Sequence, residues 1–485
     1  MMYQTFVPNG GSRKRNEYYD RFLKGTMESE DGLHREMSDR RTGLFLASQN
    51  GRSEVVDRLL AHPGIDVNKA LKSDGCTALI VASQKGHTEV VERLLAHPDI
   101  DTNKVKTSGG CGTALIVASQ KGHTEVVGRL LAHPGIDVNK ARTSDGETAI
   151  FFASQNGHTE IIERLLVRTD IDVNKARTRD GATALFMASQ KGHTEIVERL
   201  LTHRGIDVNT APPALIIGSE KGHTEIVDRL LAHPDIDVNT APTNGDTALF
   251  IASQNGHTEI VERLLAHPDI DVNKAMTNDG GTALFVASHA GHTEVVDRLL
   301  AHPDIDVNTA LTNVGTALFF ASWTALLFAS WAGHTEIVDR LLAHPDIDVN
   351  KADDGFTALF VASRKGHTEI VERLLAHPDI DVNKKANSGD RALDVAGVAE
   401  VVSMLKAHKK SRKKKKKKVH RECVHCKKSF VDKLKSCELC RCRCCADCHI
   451  YHLAFSCSGM TDVPNATRDA VARRLHKRNE HLGKR

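Results

Sequence analysis

The tetrapeptide Gly-His-Thr-Glu returns nine times in this chain, with its histidine at 87, 123, 158, 193, 223, 257, 292, 334 and 367. Successive copies stand mostly 33 to 36 residues apart, and a fixed period of that length is how stacked-repeat proteins are written. A unit this short cannot bury its apolar face alone. It must stack on its neighbours, so stability accumulates along the array. Any chemistry is therefore to be sought outside the repeats.

One full unit runs from Gly75 to Asn103. Thr77 suits a helix N-cap, and Ala78 to Gln84 give two turns of short apolar helix. Gly86 supplies the left-handed residue that closes this helix and reverses the chain. A second helix begins near Thr88, with Glu89 in its first turn, where the macrodipole favours an anion. Val90, Val91, Leu94 and Leu95 make its apolar stripe, and Glu89 pairs with Arg93 at i,i+4 on the wet face. Pro98 stops that helix, and Asp-Ile-Asp-x-Asn leads into an exposed turn.

The unit resembles the ankyrin repeat, through Gly-x-Thr-Ala-Leu, Gly-His-x-Glu-Val-Val, Leu-Leu and Asp-Val-Asn. The resemblance covers residues 41 to 408: a first copy with Gly-Arg-Ser-Glu at Gly51, nine full copies, and a truncated one from Gly389. It implies an all-α solenoid of about 11 repeats that presents hairpin tips and a concave face to protein partners. The family's Thr-Pro-Leu-His becomes Thr-Ala-Leu followed by Ile or Phe, as at Ile80, Phe186 and Phe360, which exchanges a polar contact for an apolar one. Tips such as Arg142-Thr143-Ser144 and Met276-Thr277-Asn278 differ between copies, so selectivity is expected there.

Two copies break the rhythm. Between Gly192 and Gly222 the period falls to 30, where Thr210-Ala211-Pro212-Pro213 replaces the usual turn. Two prolines cannot both donate to a hairpin ladder, so that finger is expected to be missing and the stack to kink. Between Gly291 and Gly333 the period rises to 42, because Thr316 to Trp323 is duplicated as Thr324 to Trp331; an extra helical turn or bulge is expected there. The uncharged run from Val307 to Gly333 approaches the length of a membrane span, but each half reads as an ordinary first helix, so no transmembrane segment is expected.

The net charge of +3 hides a division. From Lys409 to Arg485 there are 23 Lys and Arg against 7 Asp and Glu, a net of +16, which leaves −13 for residues 1 to 408. The junction, Lys409 to Lys418, holds six consecutive lysines from Lys413 and reads as an extended, self-repelling linker over 409–422. It suits a nuclear import carrier or weak, nonspecific nucleic acid binding. Residues 1–40 are polar and read as disordered; they contain no apolar signal-peptide core. An intracellular protein of cytoplasm or nucleus is expected.

Nine of the eleven cysteines fall between Cys423 and Cys457. Two Cys-x2-Cys pairs without a secretory signal point to zinc, since each supplies two thiolates from one turn. The order resembles the MYND zinc finger, a small protein-binding module over 423–457. That resemblance implies two structural Zn2+ ions, one on Cys423, Cys426, Cys444 and Cys448, the other on Cys437, Cys440, His452 and Cys457. His449 stands where that family has Gln, its Trp is absent, and Cys448 to His452 is a short spacing. FYVE-like and RING-like arrangements remain as alternatives, the latter making the chain a ubiquitin-ligase component; the surplus thiols Cys442 and Cys445 leave the ligand choice open. Residues 458–485 form a basic tail with helical spacing.

The chain holds no phosphate loop, nucleophile elbow or His-Glu-x-x-His. The repeat-locked histidines and Asp-x-Asp pairs read as helix-end and turn elements, and Cys76 and Cys111 as exposed finger thiols. A non-enzymatic scaffold is the expectation.

Overall fold

A computed structural model describes residues 43–71, 75–105, 112–242, 245–277, 280–309, 323–353, 355–419, 435–436 and 443–444. Residues 1–42, including the expected disordered segment, lie outside this set. So do Cys111, the first copy of the duplicated segment through 322, and all of 445–485. The chain divides into two units, at Val361 and Ala362.

The first unit is a succession of short helix pairs. They are α1 (Gly43–Gln49) with α2 (Ser53–Leu60), α3 (Ala78–Lys85) with α4 (Thr88–Leu95), and α5 (Ala114–Lys121) with α6 (Thr124–Leu131). Next come α7 (Ala149–Asn156) with α8 (Thr159–Leu166), α9 (Ala184–Lys191) with α10 (Thr194–Leu201), and α11 (Ala214–Lys221) with α12 (Thr224–Leu231). They are followed by α13 (Ala248–Asn255) with α14 (Thr258–Leu265), α15 (Ala283–Ala290) with α16 (Thr293–Leu300), and α17 (Ala325–Ala332) with α18 (Thr335–Ala343). A two-residue hairpin, β1 (Ala352–Asp353) with β2 (Phe356–Thr357), leads into α19 (Ala358–Lys365), where the division falls. First helices pack on first helices and second on second, which makes two layers.

The two helices of a pair differ because their surroundings differ. In α3, residues 78 to 83 are all buried, whereas α4 buries one stripe of Val90, Val91 and Leu94. Thr77 is extended, and its hydroxyl accepts from the Ile80 amide at 3.3 Å, as the N-cap reading required. Thr113, Thr148, Thr183, Thr247, Thr282, Thr324 and Thr357 do the same. Such a cap is worth about 1 kcal/mol.

Three contacts repeat from unit to unit. Gly86 sits at φ +74, and a Cβ there would lie 2.7 Å from the His123 ring, so the position needs glycine twice over. The same imidazole reaches the Gln84 carbonyl at 3.1 Å through Nε2, which must carry the proton because a carbonyl only accepts. His87, His158, His193, His257, His292 and His334 repeat this staple between neighbouring repeats. The histidines of the helix-end set instead turn Nδ1 to a backbone amide two residues on, as His97 accepts from Asp99 at 3.2 Å. The second contact is an asparagine ladder. Asn139 donates to the Asp170 carbonyl at 2.6 Å and accepts from the Asp172 amide at 2.8 Å. Asn68, Asn103, Asn174, Asn209, Asn239, Asn273 and Asn308 bridge their neighbours likewise. Third, arginines of the second-helix layer reach back one repeat, as Arg129 does to Glu92 at 2.6 Å and Arg298 to Glu262 at 2.6 Å.

Both irregular repeats keep the stack. Before α11 there is no hairpin, and Pro213 takes the cap position without a side-chain bond; α11 still packs on α9 and α13. At the duplication, the second copy becomes α17, eight residues long like its counterparts, and packs directly on α15. The expected extra helical turn or bulge falls on residues 310–322, outside the described residues. The length of α17 is set by Thr324 and Gly333, whose cap and left-handed φ of 89° match those of the other repeats.

The second unit contains α20 (Thr368–Ala376), α21 (Ala392–Val395) and α22 (Ala399–Val419). Val401 and Leu405 are buried where α22 packs on α20 and α21. The Arg412 guanidinium donates to the carbonyls of Pro378 at 2.6 Å and Ile380 at 2.7 Å. The helix then continues through Lys413 to Lys418, contrary to the extended linker expected, so the 408/409 boundary falls inside it. Lysine is a good helix former, and a helix already nucleated by packed residues propagates at little cost. β3 (Lys435–Ser436) pairs antiparallel with β4 (Arg443–Cys444).

Candidate interaction surface

Where the finger residues fold decides what each repeat exposes. The residue just before the Thr cap is buried in several repeats, where Cys76, Glu147 and Ala182 hold that position. This corrects the reading of Cys76 as an exposed thiol, since its sulfur lies beneath the finger beside the Thr77 carbonyl. Glu147 places an acidic group at that position, and its side chain is only 8% exposed. Two guanidiniums meet it, Arg142 at 2.5 Å and Arg177 at 3.3 Å from the next finger. Arg142 also binds Asp145, and Arg177 binds Asp180 at 2.5 Å.

Burial pushes the Glu147 carboxyl up, against the pull of Arg142 and Arg177. The Arg142 hydrogen bond holds Asp145 down at about 2, and Arg177 lowers Asp180 in the same way. The same guanidiniums cover aromatic rings. Arg142 lies 5.1 Å from the Phe152 centroid and Arg177 5.1 Å from that of Phe151.

That cover explains the inner face of the first-helix layer. Finger residue Arg177 shields Phe151 of the preceding helix, and in α3, α5 and α7 the residues Ile80, Val81, Ile116, Val117, Phe151 and Phe152 are all buried. The next finger is the missing one. From that point Phe186 of α9, Ile216 of α11, Ile251 of α13, Phe285 of α15 and Trp331 of α17 are half-buried, on the first helices of five successive pairs. Phe285 and Trp331 belong to an aromatic cluster in which Phe328 meets Phe285 at 4.6 Å and Trp323 at 4.7 Å. Sequence reasoning pointed to the tips and missed both the Arg142–Glu147–Arg177 group and this stripe. The available signal was an acidic residue before the cap, Glu147, with Arg142 in its own finger and Arg177 in the next.

Of the residues expected to hold metal, Cys423, Cys426, Cys437, Cys440, Cys448, His452 and Cys457 lie outside the described residues. Cys444 is placed in β4, opposite Lys435. The register joins Ser436 to Arg443, so Cys437 and Cys440 belong by sequence to the connection between these strands. A donor set of thiolates and imidazole suits zinc. Among the described residues no group of His, Cys, Asp and Glu is gathered in a metal-holding cluster, and no helix is long and apolar enough to cross a membrane.

The architecture defines a tandem-repeat interaction module. A family model described as "Ankyrin repeats (3 copies)" matches residues 21–107, 44–142, 115–211, 215–310 and 311–416. These matches span most of the sequence, and the chain belongs to the ankyrin-repeat family. A comparison with curated proteins gives no match.

Proposed function

We propose that the chain is a non-enzymatic scaffold that binds one protein through the finger and first-helix face of its array, and a second through a C-terminal zinc finger. The stripe from Phe186 to Trp331 carries the first half of this reading. The other array positions are nearly identical from copy to copy. Half-buried aromatic and branched side chains on adjacent helices offer the rigid anchors that dominate binding energy at protein interfaces. In α3, α5 and α7 the corresponding side chains are covered, while Leu46 of α1 is half-buried. The partner's anchor residues are accordingly apolar.

Cys423, Cys426, Cys444 and Cys448 would hold one zinc and Cys437, Cys440, His452 and Cys457 the other. Zinc supplies folding energy at such sites, without an open coordination position for catalysis. The pairing of β3 with β4 around Cys437 and Cys440 supports a compact metal-folded segment there.

Affinity capture tests the division of labour. Full-length protein, a Phe186→Asp/Phe285→Asp variant and a chain ending at Val419, which keeps α22 whole, are compared by quantitative mass spectrometry. One partner set should vanish with the double variant and a different set with the truncation. Identical partners in all three would overturn the reading. Metal analysis of the purified full chain should give two zinc ions per molecule, and fewer than one would remove the finger.

A further inference from the structure

We propose that the lysine segment of α22 is a binding element for duplex DNA, seated in the major groove without reading sequence. This goes beyond the scaffold reading and does not depend on it. α22 packs on α20 and α21, and the two carbonyl contacts of Arg412 anchor the helix to the last turn of the array. Beyond that anchor the backbone stays helical through Val419, and Lys413 to Lys418 occupy six consecutive positions. At about 100° per residue, six consecutive positions fall on every face of a helix. The segment is therefore a cationic cylinder in register, not a one-sided patch.

That geometry discriminates between polyanions. An anionic lipid surface meets one face of a helix and holds it through an apolar stripe. From Lys406 to Lys418 the only apolar residue is Ala407, so the stripe is lacking. The B-form major groove is about 12 Å wide and admits a helix of about 10–12 Å diameter, with phosphate backbones on both sides. All-round charge fits that enclosure. The A-form groove of duplex RNA is too narrow to admit it. No Phe, Tyr or Trp lies between Lys406 and Lys418 for stacking on single strands. Each lysine that neutralises a phosphate releases a counterion, so affinity should fall steeply with salt.

Fluorescence anisotropy with the full-length protein tests this, using a labelled 20-base-pair DNA, the same sequence as duplex RNA, and phosphatidylserine vesicles in a sedimentation arm. Duplex DNA should bind at least about tenfold tighter than either. Affinity should drop about a thousandfold between 50 and 200 mM salt. Replacing Lys413 to Lys418 by Gln should flatten the log–log salt slope by about 5. The remaining basic residues of 420–485 are unchanged in that variant, so the difference isolates the helix. Lys415→Pro and Lys415→Ala remove the same charge, but only the first interrupts the helix. Lys415→Pro should bind DNA about tenfold more weakly than Lys415→Ala, with thermal unfolding of the array unchanged in both. Equal affinity of these two variants would mean that charge alone acts, and would overturn the groove assignment. So would vesicles or duplex RNA bound as tightly as DNA, or an unchanged slope in the glutamine variant.

Discussion

Glu147 and Asp145 are two residues apart and titrate in opposite directions, because one is buried among two guanidiniums and the other is held by a direct hydrogen bond. Asp145 has a depressed folded value, from 3.8 down to about 2. Its stabilisation is present above the unfolded value and is lost as pH falls from about 4 towards 2, an effect on the order of 1–2 kcal/mol. Glu147 has a raised folded value, so whatever it adds is present when it is protonated and is lost as pH rises through that value. Asp145→Asn should therefore lower the unfolding free energy at pH 7, and the deficit should shrink as pH falls below about 4 and be gone only below about pH 2. Glu147→Gln should be neutral or stabilising at pH 7, since Arg142 and Arg177 keep Asp145 and Asp180 as partners. Denaturant titrations at several pH values check both; a large loss from Glu147→Gln would show that the central carboxylate is a net tie. A second residue pattern repeats through the array. The serine at the sixth position of each first helix, such as Ser253, is fully buried, and its hydroxyl has no hydrogen-bond partner. Ser253→Ala should raise stability by about 1 kcal/mol, measurable by urea denaturation. Close packing against the second helix requires a small residue there, and alanine satisfies that requirement without the stranded hydroxyl.

Along the second-helix layer the cross-repeat arginine ladder has one gap. Gly128 in α6 stands where other copies carry Glu or Asp, and Arg164 turns instead to Glu125 at 3.2 Å and to Glu160 at 2.9 Å. A Cβ at 128 would meet only the flexible end of Arg164, 2.5 Å away. Gly128→Glu should thus stabilise the protein by about 1 kcal/mol, from helix propensity plus a few tenths from the restored pair. A lower midpoint in thermal or urea unfolding would mean that the arginine cannot move aside. Helices of this kind were legible in the sequence because their ends are marked chemically. Thr77, Gly86 and Pro98 bracket each pair, and the Glu89–Arg93 bond appears at 2.7 Å as its spacing required. What joins the repeats was not legible. The staple from His123 to the Gln84 carbonyl and the ladder from Asn139 link residues more than thirty positions apart, and nothing local distinguishes these side chains from ordinary turn residues. The same limit hid the burial of Cys76, which depends on how a finger folds onto the repeat after it. The lysine run was misread because self-repulsion was weighed without the packed half of α22 that nucleates its helix.

For the whole molecule, the account rests on asymmetry within a repetitive array. Arg142 and Arg177 close over the aromatic rings of α7, the finger before α11 is missing, and the five first helices from α9 to α17 are left with half-buried apolar side chains. Repeat proteins bind through such variation, since the shared positions are spent on stacking. The proposed zinc finger and the proposed DNA-binding role of α22 are tested separately above. Hydrogen–deuterium exchange of the full-length protein, free and saturated with a partner lost by the Phe186→Asp/Phe285→Asp variant, addresses the central claim most directly. The account predicts new protection in the fingers and first helices between residues 177 and 332, with α10, α12, α14 and α16 unchanged. Protection confined to those second helices, or to repeats before residue 140, would contradict it.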